Sequence, residues 1–172
     1  MRDFAHRLTL DSIHDGDRMD MTADEEERRA VAQRLNLVSL ERLEAHVMFH
    51  RDGKSVRCEG RVKARLTQAC TASGEPVAAQ VDERFVLAFV EAIKIDAPEA
   101  ELELGADELD IIFHDGQAID LGAAIADTLG LALDPYPRGP RADEALKAAG
   151  VLSEAEAGPF AALARLKKEL GS

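Results

Sequence analysis

The sequence predicts an α+β fold: an antiparallel, strongly curved sheet or partial β-barrel with helices packed on it. Three stretches carry that reading. Residues 41–67, ERLEAHVMFHRDGKSVRCEGRVKARLT, alternate apolar and polar side chains on both sides of Asp52-Gly53, the signature of a hairpin with one buried face. Residues 81–92, VDERFVLAFVEA, place Phe85, Leu87 and Phe89 on one face of a further strand. In AIDLGAAIADTLGLA, from Ala118, the apolar period changes to that of a helix.

In chain order, FAHRLTLDS (4–12) predicts a first strand. TADEEERRAVAQRLN predicts a helix capped by Thr22, with Glu25 completing a capping box. Acids crowd its first turn, where the helix dipole favours them. Ala30, Val31 and Leu35 form its apolar stripe. If Asp52 and Gly53 are the two central turn residues, facing partners in the hairpin have numbers that sum to 105. Leu43, Ala45, Val47 and Phe49 then oppose Val62, Gly60, Cys58 and Val56. On the other side Glu44 meets Arg61 and His46 meets Glu59, while Arg42 meets Lys63 and needs an anion or a nearby acid to relieve the repulsion.

A turn at ASGEP (72–76) leads into the 81–92 strand. Residues 97–110 hold six acids and no base, which predicts a solvated loop. A short buried strand follows at 110–113. Asp120 caps the next helix, which buries Leu121, Ala124, Ile125, Thr128 and Leu129; Pro135 and Pro137 stop it. Gly122 and Gly130 weaken it by up to about 1 kcal/mol each, so packing must hold it. Short helices at 141–149 and from Pro159 to Leu170 complete the chain, the last with Phe160, Leu163, Leu166 and Leu170 on one side. The expected organisation is a single α+β domain over 1–140 and a helical tail over 141–172.

Bulk properties narrow the function. The 172 residues suffice for a substantial core, and the net charge of −12 disfavours nonspecific binding to nucleic acid. Two cysteines without a CxxC pair suit a reducing cytoplasm. The charged N-terminus lacks an apolar signal core, and no apolar run reaches the roughly 20 residues that span a bilayer. A cytoplasmic protein without a membrane partner is expected.

Constellations that could carry chemistry each have a plainer explanation. His114, Asp115 and Asp120 fit a turn and a helix cap better than a metal or acid–base site. His46 and His50 lack a third ligand. Cys70 has no histidine nearby in sequence and suits a small buried hydrophobe. The acidic run lacks the oxygen spacing and turn glycine of a calcium loop. With no carboxylate cluster at metal spacing, the chain is expected to be non-enzymatic, without metal or cofactor.

Two surfaces are candidates for binding. Arg57, Arg61, Lys63 and Arg65 share the outward face of one strand, interrupted by Glu59. Such a stripe in an acidic protein suits phosphate contact; a solvated face paired to Glu41 and Glu44 competes with that reading. The C-terminal helix sets Phe160 and its apolar stripe beside Arg165, Lys167 and Lys168, which suits docking on a partner, on RNA or on its own domain.

The order of these pieces resembles the YceD-like large ribosomal RNA subunit accumulation proteins. The resemblance rests on the Cys70 turn followed by EPV, the ERFVLAF strand, the acidic loop, DLGAAIADTLGLALDPYPR and the PFAALARLKK tail. Many members carry C-x-R-C-L where this chain has Thr67, Gln68, Ala69, Cys70 and Thr71, so a zinc or redox role does not transfer. Many also have ALP where this chain has Ala132, Leu133 and Asp134, with its proline one place later at Pro135. The resemblance implies a role in accumulation or processing of large-subunit ribosomal RNA, hence in ribosome assembly. Its implied partners are that RNA or its precursor and a large-subunit ribosomal protein. Pro135, Tyr136, Pro137 and Arg138 form a rigid connector that is a candidate contact surface alongside Phe160, Lys167 and Lys168. A protein-only adaptor, holding a basic partner on its acidic surface, is the alternative.

Overall fold

The computed structural model describes residues 4, 6–92 and 110–151. The chain forms two compact units, one comprising 1–68 and 78–135, the other 69–77 and 136–172. The helix expected over Pro159–Leu170 and nearly all of the acidic loop lie outside the described residues.

The elements are β1 (Arg7–Thr9), a single 3-10 turn (Leu10–Ser12), β2 (Arg18–Thr22), α1 (Glu25–Arg34), β3 (Ser39–Asp52), β4 (Ser55–Ala69), β5 (Pro76–Glu91), β6 (Asp110–His114), β7 (Ala118–Asp120), α2 (Leu121–Ala132) and α3 (Ala142–Ala148). The fold is α+β as expected. The main sheet has the order β2-β3-β4-β5-β6, and β1 pairs with β7 in a second, two-stranded sheet. With β2 and β6 at its ends the main sheet is open and does not close into a barrel. It also departs from a purely antiparallel arrangement, because β6 runs parallel to β5, with Phe89 opposite Ile112.

The β3–β4 hairpin forms with the expected inner face, but its register differs from the sequence expectation. Asp52 pairs with Ser55, so Gly53 and Lys54 are the central turn residues and most partner numbers sum to 107. Gly53 has φ +59° and no positive φ is found at Lys54, the pattern of a hairpin turn with glycine at its first central position. A shift of two keeps every side chain on its face and changes only its opposite number. Arg42 therefore faces Arg65, Lys63 faces Glu44 and Arg61 faces His46, with a bulge between Leu40 and Arg42.

The first helix also begins later than expected. Its cap is Asp24, whose side chain accepts the Glu27 N–H, and Glu27 completes the capping box. Thr22 is instead the last residue of β2, pairing with Glu44. The expected strand over 4–12 contracts to β1 before the chain turns through Leu10–Ser12. Asp120 caps α2 as expected, accepting the Ala123 N–H at 3.0 Å.

The core of the larger unit is built largely from the hairpin, β5 and α2. The hairpin buries Leu43, Val47, Phe49, Val62 and Leu66; β5 buries Phe85, Leu87 and Phe89; α2 buries Leu121, Ile125 and Leu129. Each such side chain contributes roughly 1.5–3 kcal/mol of apolar burial. Gly60 is required beneath them. A Cβ there would lie 2.3 Å from the His46 carbonyl oxygen and 2.6 Å from the Phe85 ring, so the ring packs onto bare backbone.

In the second unit, the 70–75 turn is fastened to the proline-rich connector. Thr71 donates its N–H to the Pro137 carbonyl at 2.9 Å, and its hydroxyl reaches the same oxygen at 3.3 Å. Arg141 forms a two-nitrogen pair with Glu75. Beyond it lies α3, close to the helix expected over 141–149.

Candidate nucleic-acid interface

β4 positions the candidate basic residues by simple alternation. Val56, Cys58, Val62, Ala64 and Leu66 are buried, while Arg57, Arg61, Lys63 and Arg65 are exposed on the opposite face. Neighbouring strands widen the patch. Arg42 joins it from β3 opposite Arg65, and Arg84 joins from β5, out of phase with buried Phe85, Leu87 and Phe89. Sequence reasoning left out Arg42 and Arg84; the signal was available in their phase relative to the buried residues of each strand.

Among the described residues, Glu59, Asp82 and Glu44 pair with these bases. Arg57 pairs with Glu59 at 3.0 Å. Asp82 holds Arg61 and approaches Lys63 at 4.0 Å. Arg42 donates to Glu44 at 2.6 Å, and that hydrogen bond holds the Glu44 carboxyl below the usual carboxylate range. The Arg42–Arg65 repulsion is relieved in this way. Among the described residues no ion pair joins Arg65 or Arg84 to an acid. The acids that do pair with the stripe are Glu59 and Asp82; Glu41 instead accepts from the Ser39 hydroxyl. These are surface pairs, which contribute little to stability.

The remaining polar residues have local roles. His114 is buried; its Nδ1 accepts the Gly116 N–H at 3.0 Å, so its Nε2 donates to the Lys54 carbonyl at 3.0 Å. Asp115 accepts the N–H groups of Gln117 and Ala118, which lowers its pKa. His46 contacts Asp20, and His50 lies 3.8 Å from Asp15. Among the described residues, no group of three or more His, Cys, Asp or Glu side chains is placed to hold a metal ion.

The two cysteines differ. Burial pushes the Cys58 thiol up to about 12. Cys70 is also buried, yet its Sγ accepts the N–H of Gly139 at 3.3 Å and of Ser73 at 3.5 Å. These donors, Gly139 foremost, lower its pKa to about 7. Its surroundings make it a fastener between the turn and the connector.

In the connector, Pro135, Tyr136 and Arg138 are exposed, whereas Pro137 is buried. Arg138 lies 3.7 Å from Asp143. Phe160, Lys167 and Lys168 fall outside the described residues. No helix among the described residues is long and apolar enough to cross a membrane.

No curated protein and no solved structure matches the chain significantly. The model of one family, described as "Large ribosomal RNA subunit accumulation protein YceD", does match, over residues 58–167. That span covers most of β4 together with β5, β6, α2 and α3, and with it more than half of the sequence: the chain belongs to the YceD family.

Proposed function

We propose that this protein is a non-enzymatic binding factor in ribosome assembly, and that the outward face of β3, β4 and β5 contacts phosphates of large-subunit ribosomal RNA or its precursor. The family description connects the chain to accumulation of that RNA. The observation that carries the contact surface is the gathering of Arg42, Arg57, Arg61, Lys63, Arg65 and Arg84 on one side of a sheet. In a protein of net charge −12 the long-range field opposes RNA, so affinity must come from local geometry. Exposed Tyr136 and Arg138 supply a further contact surface, with Lys167 and Lys168 in the tail. The cell compartment consistent with this role is the cytoplasm.

The overall acidity favours a second reading, a protein-only adaptor whose acidic surface holds a basic partner such as a large-subunit ribosomal protein. Ultraviolet crosslinking in cells, with sequencing of the bound RNA and identification of co-purifying proteins, separates the two. Enrichment of large-subunit ribosomal RNA supports direct contact. Recovery of a ribosomal protein without crosslinked RNA supports the adaptor.

A further inference from the structure

Phe113 of β6 has 66% of its surface exposed. It stands opposite Val90 of β5, out of phase with buried Phe85, Leu87 and Phe89, and so on the outer sheet face that also carries Arg84. Its neighbours explain why it cannot turn inward. Ile112 packs against the core. His114 is buried, with Nδ1 accepting the Gly116 N–H and Nε2 donating to the Lys54 carbonyl. Alternation along the strand then fixes the ring outward.

The same alternation places Val86, Ala88 and Val90 of β5 and Ile111 of β6 on that outer face, each half-buried. A ribbon of apolar surface thus runs along β5 and ends at Phe113. Its position relative to the bases follows from two contacts. Gly60 lies against the Phe85 ring, and Lys54 pairs with Glu91 at 2.8 Å. β4 and β5 are therefore antiparallel, with Arg57 alongside Ala88 and Arg61 alongside Arg84. From ordinary strand spacings, Arg57 sits roughly 12 Å from Phe113 and Arg84 roughly 20 Å. Glu59 and Glu91, acids at this end of the sheet, are already partnered by Arg57 and Lys54.

An exposed ring with an apolar strip beside it, and cations a few nucleotides away, is the chemistry that holds unpaired nucleic acid. Every base has a π-face that stacks on an aromatic side chain, while cations follow the backbone. A duplex cannot use the ring, because its bases are already stacked on one another. We infer that the outer face takes a single-stranded stretch of RNA, with one base stacked on Phe113 and the backbone crossing Arg57 and Arg84 toward the basic stripe. The inference rests on the RNA reading above and adds to it the class of RNA and a base contact. Stacking also supplies affinity that salt does not screen, which suits a chain whose net charge of −12 opposes RNA.

The test uses fluorescence anisotropy on the full chain with two labelled probes: an unstructured, mixed-sequence RNA strand, and the duplex that it forms with its complement. The wild type should bind the strand more tightly than the duplex. Phe113→Ser, checked by thermal melting, should weaken binding to the strand by about tenfold and leave the duplex unaffected. Phe113→Leu, which keeps apolar area but loses the π-face, should weaken it severalfold, and Phe113→Tyr should bind as the wild type does. None of the three should change the slope of log affinity against log salt, because no phosphate contact is lost. Wild-type affinity for the strand in both Phe113→Ser and Phe113→Leu would overturn the inference. If the stripe variant Arg61→Glu, Lys63→Glu, Arg65→Glu still lost binding, the RNA reading would stand without it. No binding of either probe by the wild type would remove both. A dimer in sedimentation that Phe113→Ser dissolves would also overturn the inference, because it would assign the ring to a second copy.

Discussion

The two faces of β4 differ in what they tolerate. Inward, Val56, Cys58, Gly60, Val62, Ala64 and Leu66 meet the core; outward, Arg57, Glu59, Arg61, Lys63 and Arg65 meet solvent. The inner face is fixed by shape, to the point that even a methyl group at Gly60 collides with backbone and the Phe85 ring. The outer face is fixed by nothing stronger than exposed ion pairs. Folding therefore leaves the outer residues free for another role, and a basic surplus there in an acidic chain needs a reason beyond stability.

Gly60→Val should break the inner face most severely. Overpacking against the His46 carbonyl and Phe85 should cost at least about 3 kcal/mol, measured by chemical denaturation. An unchanged midpoint would show that Phe85 does not pack on this backbone. Gly53→Val acts at the turn that sets the register. A β-branched residue at φ +59° should cost about 1–2 kcal/mol without changing either face, again read from the denaturation midpoint.

Cys70 supplies a smaller, pH-dependent effect in the other unit. Its folded pKa of about 7 lies below the ordinary thiol value of 9.0. The resulting stability is fully present above the unfolded pKa and is lost as pH falls through the folded one. The melting temperature of the wild type relative to Cys70→Ala should therefore rise between pH 7 and pH 9. A flat difference would mean that the N–H groups of Gly139 and Ser73 do not favour the thiolate. The smallest stability effect should come from the outer face: Arg61→Glu, Lys63→Glu and Arg65→Glu together should change stability by about 1 kcal/mol or less.

What the sequence made legible follows from the same contrast. Alternation across 41–67 identified both faces of the hairpin, because face depends only on parity. Partners depended on the turn, and Gly53-Lys54 rather than Asp52-Gly53 occupies its centre, so each pairing moved by two. Thr22 and Asp24 are both good caps at the spacing of a capping box to Glu25 and Glu27; pairing of Thr22 with Glu44 in β2 decided between them. The parallel pairing of β6 on β5 is a long-range choice that no local pattern in DIIFH specifies. At the candidate site the stripe was visible along β4, while its extension to Arg42 and Arg84 and its neutralisation by Asp82 required the neighbouring strands.

The central claim is that the outer face of the sheet contacts RNA phosphates. Its most direct test is the salt dependence of binding between purified protein and large-subunit ribosomal RNA fragments, wild type against the Arg61→Glu, Lys63→Glu, Arg65→Glu variant. The account predicts measurable wild-type binding, with the magnitude of the slope of log affinity against log salt reduced by about 0.7–0.9 for each phosphate that the variant no longer neutralises. It also predicts near-complete loss of affinity in the variant, with the melting temperature shifted by no more than about 4 °C. Equal affinity and equal slope in the two proteins, or no binding by the wild type, would contradict it and leave the stripe a solvated face.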